Sequence, residues 1–151
     1  MGKIISFSNQ KGGVGKTTTC VNMAAYLARA GRKVLLVDLD PQGNATTGLG
    51  FSKGSLKKSV YNVIIDDEEV KENILPTELE GLLILPSNID LAGAEVSLVY
   101  KKNRDKVLRA ALEKVKADFD YILIDCPPSL GLLTINALAA ADSAIIPIQS
   151  E

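Results

Sequence analysis

The sequence predicts an α/β fold, a doubly wound and mostly parallel sheet with helices on both faces. Three observations predict it. Five short apolar runs recur along the chain, at residues 4–7 (IISF), 34–37 (VLLV), 82–85 (LLIL), 121–124 (YILI) and 144–148 (AIIPI). Most are continuous rather than alternating, which is how strands buried on both faces read. Helical segments separate them, and strands that alternate with helices favour parallel pairing through crossover connections.

Each element has its own justification. The first run is followed by glycines and then by good helix formers over residues 17–30. That helix stops at Gly31, with Arg29 and Arg32 near its negative dipole end. A weaker helix is expected over residues 56–65. The run Asp66-Asp67-Glu68-Glu69 reads as a solvated loop or helix start. Residues 103–116 place Val107, Leu108, Ala111, Leu112 and Val115 on one face and charges on the other, the pattern of a helix lying on a sheet. Residues 130–140 are apolar nearly all round, so that helix is deeply buried or faces a partner. There is no internal repeat and no low-complexity linker.

Bulk properties narrow the function. The 151 residues are 46% hydrophobic and 23% charged, an ordinary balance for a folded domain. A net charge of −1 gives no general pull toward nucleic acid or anionic membrane. The absence of histidine excludes a His-based metal site and a Ser-His-Asp triad. Cys20 and Cys126 lack metal-ligand spacing and read as reduced core residues. No apolar run reaches membrane-spanning length. Residues 149–151 follow the last run directly, leaving a strand with nothing to cover its edge. Residues 1–151 are therefore expected to be the N-terminal part of a single larger domain, interrupted after its fifth strand.

The chemistry concentrates in QKGGVGKT, residues 10–17. It differs from the pattern G-x-x-x-x-G-K-[ST] in having Gln10 at the first glycine and a second lysine, Lys11. The stretch follows a strand and opens a helix, the setting a phosphate loop requires. Gly12, Gly13 and Gly15, with Val14 between them, let backbone N–H groups converge on an anion beside a helix N-terminus. Lys16 suits β- and γ-phosphate oxygens, Thr17 can give its hydroxyl to Mg²⁺, and Thr18 can reach the α-phosphate. A plain glycine-rich turn would explain the glycines but not the Lys-Thr pair. A dinucleotide-binding loop fits poorly, because the first glycines are adjacent and a lysine follows the last.

Three acids end strand-like runs. Asp38 and Asp40 lie in VDLDPQGN and Asp125 in IDCPPS. Ligands of open parallel sheets bind at the carboxyl ends of strands, where the glycine loop also sits. Asp125 suits a Walker-B role, holding Mg²⁺ through water; Asp40 can orient the attacking water; Asp38 can support Mg²⁺ hydration or loop geometry. The rival reading is a turn or cap role, strongest for Asp38 and Asp40, which precede Pro-Gln-Gly-Asn. It is weaker for Asp125, because Ser129 is the better cap for the next helix. Two basic clusters, Lys53 with Lys57 and Lys58, and Lys101 and Lys102 with Arg104, read as solvated surface before DNA contacts.

Together, KGGVGKTT, VDLDPQGNAT, LAGAE and DCPPSLGLLTINAL resemble the ParA/Soj-type chromosome or plasmid partition ATPases, in the deviant Walker A group that includes MinD. The resemblance spans essentially the whole chain and implies a P-loop NTPase fold. It implies ATP and Mg²⁺ as ligands and an ATP-dependent homodimer, with hydrolysis driven by water attack on the γ-phosphate. Lys11 matches the signature lysine that reaches the partner subunit's phosphates, Lys16 the loop lysine, Thr17 the Mg²⁺ ligand, Asp40 the hydrolytic aspartate and Asp125 the Walker-B acid. Implied partners are a ParB-type activator and nonspecific DNA, bound mostly through surface outside this chain. The implied location is the cytoplasm, associated with the nucleoid and not with membrane. The alternative is a MinD-type membrane-associated positioning ATPase, which needs a C-terminal amphipathic helix; a non-catalytic paralogue using only the fold is a third class.

Overall fold

The computed structural model describes residues 2–8 and 14–146. Its six strands are β1 (Lys3–Phe7), β2 (Val34–Asp38), β3 (Leu75–Pro76), β4 (Leu82–Leu85), β5 (Tyr121–Asp125) and β6 (Ser143–Ile145). They form one sheet in the order β3-β4-β2-β5-β1-β6. Every pairing is parallel except β3 with β4. The two-residue β3 has no counterpart in the sequence reading. Leu75-Pro76 is too short to carry a periodic signal, and its proline is tolerated because β3 is an edge.

The runs at 4–7, 34–37, 82–85 and 121–124 are buried against the sheet's two faces, as expected, whereas in the last run Ala144 and Ile146 are exposed and Ile145 is half-buried, β6 being an edge strand. On β2, Leu35 and Val37 join the core of one face, and Val34 and Leu36 that of the other. β5 does the same with Ile122 and Ile124 against Leu123. Helix α1 (Val14–Arg29) covers one face, presenting Cys20, Ala24 and Ala28 at four-residue spacing. These small residues let the helix lie close to the strands. Its end is fixed by Gly31 at φ 88°, where Gly31 N–H bonds to Ala28 O and Arg32 N–H to Leu27 O, a Schellman arrangement. The opposite face is covered by α3 (Val60–Ile64), α4 (Ala94–Leu98), α5 (Val107–Glu113) and α6 (Leu132–Ala140). Short α2 (Asn44–Gly48) sends Ala45 to the α1 side.

Some helices are shorter than the sequence suggests, for local reasons. The expected helix over 56–65 begins only at Val60, where Ser59 and Asn62 form a capping box. The helix expected over 103–116 begins at Val107, because Asn103 adopts φ 56° in a turn closed by Lys106 N–H on Asn103 O. Leu108, Leu112 and Val115 of its apolar face are buried, as the periodicity required. Asp66 to Glu69 form an exposed loop. In α6, Leu133, Ala137 and Ala140 are buried while Ile135 and Leu138 stay exposed, so burial is one-sided. Its buried Asn136 accepts from Leu108 N–H at 3.1 Å and donates to Arg104 O at 2.7 Å, which caps α5 from outside. Of the last apolar run, residues 147 and 148 lie outside the described residues.

The β1–β6 edge is closed by Asp142. Its carboxylate accepts Ile4 N–H at 2.9 Å, its own N–H bonds Ile4 O at 2.7 Å, and Lys116 lies 3.4 Å away. The backbone hydrogen bond from Ile4 is the main cause holding this carboxyl below its ordinary 3.8. A depressed folded pKa contributes stability above the unfolded value and loses it as pH falls through the folded one. Asp142→Ala is expected to lower stability at neutral pH by about 1 kcal/mol or less, since the group is partly solvent-screened. Thermal melts of the two proteins should converge once the pH falls well below 3.8.

Candidate active site

Strand register brings the chemistry together. Phe7 of β1 and Asp38 of β2 both pair with Asp125 of β5, so three strand ends share one rung. Lys11, Gly12 and Gly13 fall outside the described residues, as does the side chain of Val14. From Gly15 onward the helix places its first turn against the acids, with Thr19 Oγ1 donating to Gly15 O at 2.7 Å.

Lys16 is the centre of the arrangement. Only 2% exposed, it puts its ammonium 3.0 Å from Asp125 Oδ1 and 3.7 Å from Asp40 Oδ2. It also donates to the carbonyl oxygen of Cys126. The adjacent Thr17 hydroxyl donates to Asp125 Oδ2 at 3.0 Å. Asp125 thus receives a cation on one oxygen and a hydroxyl on the other. Burial still pushes its carboxyl above the ordinary value, against the lowering effect of Lys16.

Asp38 and Asp40 are held differently. Asp38 is fully buried and accepts Asp40 N–H at 3.2 Å, Thr46 N–H at 2.8 Å and Thr46 Oγ1–H at 2.7 Å. Thr46 Oγ1 in turn accepts Ser87 N–H at 3.0 Å, which fastens the 40–46 segment to the end of β4. Burial raises Asp38 to about 7, opposed by the Thr46 hydrogen bonds. Asp40 faces the other way: Oδ1 accepts Gln42 N–H at 3.0 Å, leaving Oδ2 toward Lys16. The turn favours Gly43 because its φ of 68° lies in the left-handed region that side chains strain to adopt, and the Lys53 side chain packs against it. Lys53 crosses that point and donates to Pro41 O at 3.0 Å.

A cleft of about 570 Å³ opens beside these groups, lined by Lys16, Thr17, Thr18, Asp40, Asn44 and Pro128, among others. The structure therefore collects Lys16, Thr17, Thr18 and Asp40 at one cleft, with Asp125 in contact with two of them. Asp38 sits behind, its carboxylate turned to the 40–46 segment. Cys20 and Cys126 are free and buried, and burial pushes the Cys126 thiol up to about 11. Sequence reasoning missed the Cys126 carbonyl, because a backbone acceptor leaves no side-chain signature. It also missed Thr46, which reaches Asp38 across the turn after β2 rather than along one element, so no motif joins the two.

The donor set fits an anion with a hard divalent cation. A buried ammonium faces the cleft, and a hydroxyl and a carboxylate lie 3.0 Å apart beside it. Among the described residues, no group of three or more His, Cys, Asp or Glu could hold a metal ion. Mg²⁺ takes one or two protein oxygens and completes its shell with water and substrate phosphates, a demand that the Thr17 hydroxyl and the Asp125 carboxylate can meet.

Comparison with known proteins places this site in context. Residues 2–151 match the family described as AAA domain. The chain is 58% identical to the sporulation initiation inhibitor protein Soj of Bacillus subtilis, over all of this chain and 60% of that protein. It is 56% identical to the chromosome partitioning protein ParA of Myxococcus xanthus, over all of this chain and 53% of that one. Among solved structures, it is similar to cobyrinic acid a,c-diamide synthase from Mycobacterium smegmatis with bound ATP analog and magnesium. That match has a TM-score of 0.94 and 48% identity over 98% of this chain and 60% of the other. The chain thus spans between half and two thirds of these proteins' own lengths.

Proposed function

The chain belongs to the AAA domain family, among its ParA/Soj-type partition ATPases, and from that premise we propose that its cleft binds ATP with Mg²⁺ and hydrolyses it as a dimeric switch in DNA partitioning. The observation that carries the reading is the buried Lys16 ammonium between Asp125 and Asp40, beside the Thr17 hydroxyl. An ammonium already desolvated at a helix N-terminus is ready to exchange carboxylate contacts for phosphate oxygens. The Asp40 contact, at 3.7 Å, is the looser of the two and the easier to surrender.

The residues divide the work. Gly12, Gly13, Val14 and Gly15 supply backbone N–H groups to the phosphates, Lys16 neutralises them, and Thr18 adds a hydroxyl. Thr17 and Asp125 would hold Mg²⁺, Asp125 through water, and the cation would neutralise phosphate charge. Asp38 belongs to this set through the metal's hydration or through the 40–46 segment it fastens. Asp40 orients a water for in-line attack on the γ-phosphate. Positioning and charge stabilisation account for most of the catalysis in such reactions.

In this reading Lys11 reaches the phosphates of a second subunit, and a ParB-type protein stimulates turnover. The ATP dimer binds DNA nonspecifically, in the cytoplasm at the nucleoid. Residues 1–151 form the N-terminal part of one P-loop ATPase domain. The name of the relative at 56% identity, chromosome partitioning protein ParA, favours this over the MinD-type alternative. Among the described residues no helix is long and apolar enough to cross a membrane. The test is light scattering of the full-length protein with and without ATP. The wild type is expected to double in mass with ATP, while Lys11→Ala binds ATP and remains monomeric. An ATP-dependent dimer in the variant would overturn the role given to Lys11, and a wild type blind to ATP would overturn the function.

A further inference from the structure

We propose that Glu95 is a positioning residue of the nucleotide site, holding from a separate helix the segment that follows Asp125. It rests on the nucleotide-site reading above. Glu95 lies on α4, and its carboxylate grips the start of α6: Oε1 accepts Leu132 N–H at 2.6 Å and Oε2 accepts Leu133 N–H at 3.0 Å. These are among the first donors of α6, which have no partner inside the helix. Gly131 at the cap position offers no side-chain hydrogen bond, and the first turn of α6 carries no acid. The cap expected from Ser129 is absent; Ser129 instead accepts Thr134 Oγ1–H through its backbone oxygen, at 2.6 Å. A remote carboxylate does the capping, with its full charge at the positive end of the helix.

Residue 131 is fitted to that carboxylate. A Cβ at Gly131 would stand 2.6 Å from both Glu95 oxygens, too close for any side chain to coexist with the grip. The segment between Asp125 and α6 is thus pinned at both ends. At Cys126 its carbonyl accepts from Lys16, and at Leu132 and Leu133 its continuation is held by Glu95. Between those pins Pro128 forms part of the cleft wall beside Lys16 and Thr17. Releasing the Glu95 end therefore loosens the wall and the Cys126 carbonyl while leaving the start of α1 in place.

The test is steady-state ATP turnover by the full-length protein and its Glu95→Ala, Glu95→Gln and Gly131→Ala variants. Misplaced active-site geometry is costly, so Glu95→Ala is expected to lower kcat about tenfold with KM for ATP within about twofold. Glu95→Gln keeps one acceptor for Leu132 N–H and recovers part of the loss. Gly131→Ala displaces the carboxylate and matches Glu95→Ala, and the double variant is no worse than either, because both remove one interaction. Lower melting temperatures with unchanged kcat would overturn the proposal, as would additive losses. A wild type that binds nucleotide without turning it over sinks the hydrolysis reading alone. Release of a fluorescent ADP then decides, about tenfold faster in Glu95→Ala if the wall is loosened and unchanged if it is not. A wild type that binds no nucleotide overturns both readings.

Discussion

Lys16→Ala is expected to abolish nucleotide binding in the full-length protein, lowering affinity by about a hundredfold or more through the loss of charge-assisted hydrogen bonds to phosphate. The variant does more than delete a phosphate contact. The ammonium lies 3.0 Å from Asp125 and 3.7 Å from Asp40, and both acids are buried. Without it, Asp125 and Asp40 lose the ammonium that pairs with both of them. Asp125 also loses the partner that lowers its pKa, so burial raises that carboxyl further. Breaking such a pair costs on the order of 3–5 kcal/mol of stability when the remaining charge stays buried. Isothermal calorimetry with ATP and Mg²⁺ gives the binding result, and circular dichroism checks that the variant remains folded. Wild-type affinity in a folded Lys16→Ala protein would overturn the assignment of this cleft.

Asp40→Ala is expected to show the opposite signature, with ATP binding retained and turnover lowered by about a hundredfold or more, the usual scale for removing a group that positions a reacting proton or water. The geometry explains the separation. The backbone N–H of Asp40 is held by Asp38, and Gly43 N–H bonds Asp40 O at 2.8 Å, so the turn survives loss of the side chain. What disappears is the Oδ2 atom pointing into the cleft, together with the Gln42 N–H contact at Oδ1. Lys16, Thr17 and Thr18, on the first turns of α1, are not altered by the substitution. Single-turnover and steady-state assays should both fall while calorimetry stays near wild type. Unchanged hydrolysis would remove Asp40 from the chemistry, and lost ATP binding would make it part of the cradle.

These two variants also mark how far the sequence could be read. The loop lysine, its threonine and the acids at strand ends are local signals, each contained within a few residues. Lys16, Thr17, Asp40 and Asp125 could therefore be named from contiguous motifs, and the structure brings them together at one end of the sheet. Helix ends were less legible. The start of α5 depends on Asn103 at φ 56° and on Asn136 from α6, and periodicity cannot register either. The start of α3 turned on the capping box at Ser59 rather than on where the apolar residues begin.

The sequence by itself determined the parallel sheet and the helices on both faces, because continuous apolar runs permit few other arrangements, and its local motifs named Lys16, Thr17, Asp40 and Asp125, which the fold gathers beside one cleft. The tertiary structure decided the relations among them. It put Asp38 and Asp125 on one rung, turned Asp38 toward Thr46, and buried Lys16 between Asp125 and Asp40. It also assigned the cap of α6 to Glu95 instead of the nearer Ser129. The reason is range. Propensity and periodicity act over a few residues, whereas strand register and caps supplied from other helices join positions tens of residues apart, whose separation in sequence carries no periodic trace.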